Sequence, residues 1–193
     1  MIEPAQRDTL LGVAAASIRH GLQHGEPLIP EARDFPAPLQ RPGASFVTLT
    51  QDGRLRGCIG SLQALRPLVK DVAANAFAAA FSDPRFPALS AAEYPGLTLA
   101  ISVLSPAEPM HFSSEADLIA QLRPGIDGLI LEDGAGHRGT FLPSVWETLP
   151  QPTEFLRQLK IKAGLPPDYW SDSLRVQRYH TESFTRPVRD ITA

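Results

Sequence analysis

Apolar residues recur at helical spacing in several segments of the chain. Residues 4–22 place their apolar side chains on one face, which predicts a first helix with Pro4 in its first turn. A second stripe, with small alanines between larger residues, predicts a helix from Pro67 to about Ser82. Shorter helices are predicted from Ser113 or Ser114 to Leu122, over residues 143–146 and over residues 152–162.

Strands are predicted where apolar residues alternate with polar ones or form short continuous runs. Ser45–Thr50 and Arg54–Gly60 flank Asp52-Gly53, which is a strong hairpin signal. Residues 97–104 are almost continuously apolar, which predicts a central strand. Five prolines predict a long irregular segment over residues 24–43. Further strands are predicted over residues 128–131, 138–142 and 174–179.

The order of these elements predicts an α+β protein, with a mixed or antiparallel sheet and flanking helices. The chain has 193 residues, of which 43% are apolar and 20% charged, as in ordinary globular proteins. Its length fits a single domain over residues 1–193, divided into two closely packed subdomains. A single cysteine makes no internal disulfide, which favours a cytoplasmic location.

Charge and hydropathy disfavour several classes of function. A net charge of -3 gives no overall basic surface for nucleic acid. The apolar stretches are too short to span a membrane, and the N-terminus lacks the apolar segment of a signal peptide. No Cys/His spacing suits zinc, and the chain has neither a GxxxxGK(S/T) phosphate-binding loop nor a Rossmann GxGxxG that leads from a strand into a helix, so neither a metal nor a cofactor is expected.

The cysteine lies in the predicted strand Leu55-Arg56-Gly57-Cys58-Ile59-Gly60. Alternation along a half-buried strand predicts that Leu55 and Ile59 point to the core, while Arg56 and Cys58 share the other face. A thiol beside a guanidinium is a candidate nucleophile, because positive charge favours the thiolate. The same pattern also fits a small buried apolar residue in a tightly packed strand.

Two further segments carry candidate chemistry. Asp83 and Arg85 follow the second helix, where they either form an ion pair that stiffens the turn or leave Arg85 free to bind an anion. The glycine-rich segment 132–139 contains His137 and fits either an active-site loop or a solvated hairpin tip. A pairing of His137 with Cys58 depends on the fold, so the sequence leaves it open.

Taken in chain order, five segments of this sequence resemble the AMMECR family, whose hallmark is LRGCIG. These segments are Leu55–Gly60, Asp83–Phe86, Ser102–Pro106, Phe141–Pro143 and Lys162–Leu165. The resemblance covers nearly the whole chain and implies an α+β fold of two subdomains, with LRGCIG near a cleft between them. Similar prokaryotic proteins are commonly described as protein A of the AmmeMemoRadiSam system, beside a Memo-like protein and a radical S-adenosylmethionine (SAM) enzyme.

The chain departs from the family pattern at two places. Many relatives carry an acidic residue where this chain has Ala100, and many carry a cysteine where it has Lys160 and Ile161. Both differences weigh against a mechanism that needs that carboxylate or a pair of cysteines. A chemistry shared by the family must therefore work with Cys58 as the only thiol.

These observations support two hypotheses of different class. The first is an enzyme or enzyme subunit that binds a small polar or anionic ligand in the cleft between subdomains, with Cys58 and His137 as catalytic residues. The predicted ligand-binding residues are Arg56, Gly57, Gly60, Asp83, Arg85 and Ser102. The second is a non-catalytic adaptor that contacts a partner protein or RNA. Its predicted contact residues are Arg54, Arg56, Arg66 and Arg85, and the net acidity of the chain makes RNA the weaker variant.

Overall fold

The computed structural model describes residues 2–191. Within that range the helices are α1 (Pro4–His24), α2 (Ala37–Gln40), α3 (Leu68–Phe81), α4 (Glu115–Gln121) and α5 (Pro152–Lys162). The strands are β1 (Pro42–Gly43), β2 (Ser45–Gln51), β3 (Arg54–Gly60), β4 (Arg66–Pro67), β5 (Leu97–Leu104), β6 (Glu108–Pro109), β7 (Gly128–Glu132), β8 (Arg138–Phe141), β9 (Arg175–Tyr179) and β10 (Thr181–Pro187). Short 3₁₀ helices cover Ala32–Asp34, Tyr94–Gly96, Pro143–Glu147 and Val188–Asp190.

The chain forms two compact units. The first contains the residues up to Leu104 together with those from Glu182 onward, and the second contains Ser105–Thr181. The cleft predicted between the two units stays a prediction. Among residues 2–191, no helix is both long and apolar enough to cross a membrane.

The first unit is built on a four-stranded sheet with the order β10-β5-β2-β3. Strand β2 pairs antiparallel with both β3 and β5. Its residues Val47 and Leu49 are fully buried and pack in one apolar cluster with residues of α1 and α3. The alternate residues, such as Thr48, therefore lie on the opposite face, which we call the second face of the sheet.

Local sequence explains the two long helices of this unit. Glu3 and Gln6 form a capping box at the start of α1, and Gly25 ends the helix with φ 76°. Helix α3 is rich in alanine, which lets its backbone approach the sheet. The approach is closest at Gly57, where a Cβ atom would overlap the carbonyl oxygen of Ala79.

The second unit is built on the sheet β6-β9-β7-β8, whose pairs are antiparallel. Leu129 and Leu131 of β7 are fully buried in a second apolar cluster. In that cluster the rings of Trp146 and Phe155 stack with centroids 3.7 Å apart. The Trp146 indole N–H donates to the backbone oxygen of Asp127 at 2.7 Å, which satisfies its polar atom inside the core.

The α+β class and the antiparallel sheets are confirmed, with two differences. Strand β10 was not predicted, because its alternating polar residues carry no clear apolar face. The segment 24–43 is more ordered than predicted, since it holds the 3₁₀ helix Ala32–Asp34, α2 and β1. Leu39 of α2 is only 1% exposed, so burial of one side chain anchors this proline-rich segment.

Candidate functional site

A β-bulge interrupts the pairing of β3 with β2. Leu49 is opposite Gly57 and Thr50 is opposite Leu55, so Arg56 has no partner on β2. The alternation of faces shifts at this extra residue, because a bulge redirects the side chains before it. Leu55 is therefore 43% exposed, and the prediction that it points to the core is wrong. Ile59, beyond the bulge, packs against the apolar core as predicted.

Cys58 lies on the second face of the first unit's sheet. It is opposite Thr48, and both side chains are partly exposed. The Thr48 hydroxyl oxygen lies 3.2 Å from the Cys58 Sγ, to which it donates a hydrogen bond. This hydrogen bond fixes the position of the sulfur on the second face. The Cys58 side chain is not part of the buried apolar core. Of the two interpretations that the sequence left open, an accessible thiol therefore fits better than a small buried apolar residue.

Asp83 and Arg85 hold the backbone of Cys58 from the free edge of β3. The Cys58 N–H donates to Asp83 Oδ2 at 2.9 Å, and Arg85 Nη2 donates to the Cys58 carbonyl oxygen at 3.3 Å. Arg85 also donates to both Asp83 oxygens, at 2.9 and 2.7 Å. The pair thus occupies the hydrogen-bonding positions that a neighbouring strand would fill, which protects this edge strand.

Asp83 and Arg85 form an ion pair in which each residue stabilises the charged form of the other. Asp83 is 4% exposed, and the hydrogen bonds from Arg85 hold the pKa of its carboxyl well below the usual range despite burial. The hydrogen bond with Asp83 raises the pKa of Arg85, and charge attraction to Asp83 and Cys58 adds to this rise. The Arg85 side chain is 54% exposed, and among residues 2–191 no acceptor engages its Nη1. It can therefore donate to an anion while it holds Asp83.

Arg56 is buried and paired with Glu93 in the same unit. Its Nε and Nη2 lie 2.7 and 3.3 Å from the two Glu93 oxygens. Hydrogen bonds from Arg56, and then from the Ser90 backbone and hydroxyl, lower the pKa of Glu93 to about 2. Both Arg56 and Arg85 lie near the ring of Phe86, at 5.9 and 5.6 Å from its centroid.

The arginines of the predicted basic patch are mostly neutralised. Arg56 pairs with Glu93, Arg85 with Asp83, and Arg66 with Asp71 at 2.9 Å. Of the four arginines of this patch, Arg54 alone has no ion-pair partner among the residues that the structure describes. This pairing leaves little unbalanced positive charge for contact with RNA phosphates.

The remaining predicted ligand-binding residues of this unit occupy different surroundings. Gly57 faces the backbone of α3, so its role there is close packing. Gly60 lies against the ring of Phe46, which a Cβ atom would overlap. The Ser102 hydroxyl lies 2.8 Å from the Ser183 hydroxyl on the neighbouring strand. The structure thus brings Cys58, Asp83 and Arg85 together, and their contacts with a ligand stay a prediction.

His137 belongs to the second unit, on the turn between β7 and β8. Its Nδ1 lies 2.8 Å from Asp133 Oδ2, while Asp133 Oδ1 accepts the backbone N–H groups of Ala135 and His137. The Asp133 side chain is 2% exposed and the His137 side chain 46% exposed. Burial opposes ionisation of Asp133, but the hydrogen bonds from His137 prevail and lower its pKa. Cys58 lies in the other unit, so a pairing of the two residues stays a prediction.

A buried polar cluster at the start of α3 was not predicted from the sequence. Asp71 is 1% exposed and accepts hydrogen bonds from the backbone and hydroxyl of Ser45, at 2.9 and 2.7 Å, and from Ser61 at 2.6 Å. Asn75 and Arg66 each donate to it at 2.9 Å. The signal was present, because Asp71 and Asn75 interrupt an apolar helix four residues apart. Within residues 2–191, no three acidic, His or Cys side chains are arranged to hold a metal ion.

Comparison with known proteins adds the evidence of relatives. A family model described as AMMECR1 matches residues 11–184. A protein of Methanothermobacter thermautotrophicus is 37% identical over 191 residues, which cover 94% of this chain and 96% of that protein. A protein of Saccharolobus islandicus is 41% identical over 157 residues, covering 77% of this chain and 69% of that protein. The crystal structure of the uncharacterized protein PH0010 from Pyrococcus horikoshii matches with a TM-score of 0.83 and 34% identity, covering 93% of this chain and 90% of that one.

Proposed function

The chain belongs to the AMMECR1 family, and on that premise we propose that it is an enzyme or enzyme subunit whose Cys58 thiol contacts a small anionic ligand. Arg85 binds the anionic group through its free Nη1, and Cys58 is the nucleophile or the residue that touches the reacting atom. Asp83 and Thr48 are positioning residues. Asp83 holds the strand and Arg85 in place, and Thr48 donates to the thiol sulfur.

One observation carries this proposal: the Asp83–Arg85 pair fixes the backbone of Cys58 while its thiol remains accessible on the second face. A purely structural cysteine needs neither a hydroxyl donor at its sulfur nor a half-exposed guanidinium beside it. A reactive thiol needs both a positive neighbour and access to its substrate. The Asp83–Arg85 pair therefore supports a site in which the Cys58 backbone is rigid and the Cys58 thiol is accessible.

The proposed setting is a modification pathway shared with a Memo-like protein and a radical SAM enzyme. This part rests on the family resemblance, since similar prokaryotic proteins are described as protein A of that system. His137 would supply acid–base or hydrogen-bonding chemistry in the same pathway. Its Nδ1 is held by Asp133, which orients the ring of this half-exposed side chain.

Purification from the native host, followed by mass spectrometry of the small molecules released on denaturation, tests the ligand. We expect the wild-type chain to release an anionic compound that the Arg85→Gln variant does not retain. Arg157→Gln is the matched control, because Arg157 is an exposed arginine of the second unit. Identical released compounds from wild type and Arg85→Gln, or no anionic compound from wild type, would contradict the proposal.

The alternative to an enzyme is a non-catalytic adaptor, and the Cys58→Ala variant distinguishes the two. In a complementation assay of the host pathway, we expect Cys58→Ala to be inactive while the folded variant still captures its protein partners. Full activity of Cys58→Ala would remove the nucleophile role and leave the adaptor. The circular dichroism spectrum of the variant must match that of the wild type for either result to count.

A further inference from the structure

The turn end of the β2–β3 hairpin contains a groove that the Cys58 site does not use. Its volume is about 490 Å³, and its lining residues are Gln51, Asp52, Arg54, Leu55 and Arg56. The bulge at Arg56 shapes this groove, because it leaves Leu55 43% exposed beside the hairpin turn. Bulges are common next to functional sites, where they redirect side chains.

The groove presents both signs of charge on two exposed side chains, neither of which is held in an ion pair with another described residue. Asp52 and Arg54 are exposed, and within residues 2–191 neither side chain has a hydrogen-bond or ion-pair partner. Arg56 adds a buried guanidinium that Glu93 does not saturate. Its Nη1 is the one buried side-chain nitrogen or oxygen of the described residues without a hydrogen-bond partner. Such a donor in an otherwise satisfied protein calls for a specific explanation.

The balance of charge decides which ligand suits the groove. Arg56 is offset by Glu93, and Arg54 and Asp52 bring opposite charges to the lining, so the lining has no net positive charge to offer a phosphate dianion. A molecule that carries one carboxylate and one ammonium group matches Arg54 and Asp52 together. The exposed Leu55 side chain adds an apolar contact to the same lining.

We propose that this groove binds the zwitterionic head of a free amino acid with an apolar side chain. The carboxylate is held by Arg54, with Arg56 beneath adding positive potential, and the ammonium group is held by Asp52. The apolar side chain rests on Leu55. This inference goes beyond the proposed function and does not depend on Cys58 or Arg85.

Nuclear magnetic resonance (NMR) titration of the ¹⁵N-labelled full chain tests the proposal. The probes are L-leucine, N-acetyl-L-leucine, L-leucinamide and inorganic phosphate. We expect L-leucine to cause saturable shifts in the amide signals of residues 51–56. The two blocked derivatives and phosphate should bind at least about tenfold more weakly, because each leaves one charged group of the groove unpaired.

Matched variants assign the two charges. Arg54→Gln should weaken L-leucine about tenfold, and Asp52→Asn should weaken L-leucine but not N-acetyl-L-leucine. Arg157→Gln and Arg85→Gln should leave L-leucine binding unchanged, which separates this site from the one at Cys58. Absence of saturable shifts at residues 51–56 would overturn the proposal. So would phosphate binding as tightly as L-leucine, or unchanged L-leucine binding in Arg54→Gln.

Discussion

Replacement of Gly57 by alanine tests how closely α3 packs on the strand that carries Cys58. The added Cβ would lie less than 3.0 Å from the Ala79 carbonyl oxygen, a backbone atom that no side-chain rotation can move. Ordinary carbon–oxygen contact begins at about 3.3 Å, so the helix must shift. Overpacking of this kind costs up to about 3 kcal/mol. Gly57 does not have a positive φ, so restriction of the unfolded chain returns about 0.4–1 kcal/mol.

The net expectation for Gly57→Ala is a loss of about 2 kcal/mol, which corresponds to a fall in melting temperature of about 4–8 °C. Far-UV circular dichroism during heating and urea unfolding measures it, since α1 and α3 supply most of the helix in the first unit. Gly96→Ala is the control, because its Cβ would meet only Gln51 Nε2, at 3.6 Å. A Gly57→Ala protein as stable as Gly96→Ala would refute the close packing of α3 on β3.

Three further outcomes are expected. Asp71→Asn should destabilise the protein by about 3 kcal/mol in urea unfolding, because an amide nitrogen replaces a carboxylate oxygen that is surrounded by hydrogen-bond donors. Unchanged stability of this variant would contradict the buried cluster. The lowered pKa of Glu93 stabilises the fold above about pH 4.5, and this contribution should be lost as the pH falls towards 2. Glu93→Gln should therefore show a shallower loss of stability over that range than wild type, and an equally steep loss would contradict the pairing with Arg56. Phe155→Ala should lower the free energy of unfolding by about 3–5 kcal/mol. It should also change the fluorescence of Trp146, because the Phe155 ring stacks on the Trp146 indole, and an unchanged emission spectrum would contradict that stacking.

The sequence predicts most of the fold because its strongest signals are local. The helix over residues 4–22 is observed as Pro4–His24, and the helix from Pro67 to about Ser82 as Leu68–Phe81. Asp52-Gly53 does form the hairpin turn, with positive φ at both residues. Apolar periodicity and turn chemistry of this kind depend only on neighbouring residues.

The details of the candidate site are less predictable, because they depend on tertiary contacts. The sequence places Asp83 and Arg85 two residues apart, but their hydrogen bonds to the Cys58 backbone join residues 25 and 27 positions away. Glu93 and Thr48 carried no signal that would connect them to Arg56 and Cys58. A single bulged residue was enough to reverse the predicted direction of Leu55.

The charge preference of thiol alkylation tests the central claim most directly, since the chain has only one cysteine. Rates with anionic iodoacetate and neutral iodoacetamide are measured on folded protein and on the same protein in urea. If Arg85 presents an anion to Cys58, the ratio of the iodoacetate rate to the iodoacetamide rate should be about fivefold higher in the folded protein, equivalent to about 1 kcal/mol. Arg85→Gln should bring that ratio down to the value in urea. A folded ratio no higher than the unfolded one would contradict an anion-binding site at Cys58.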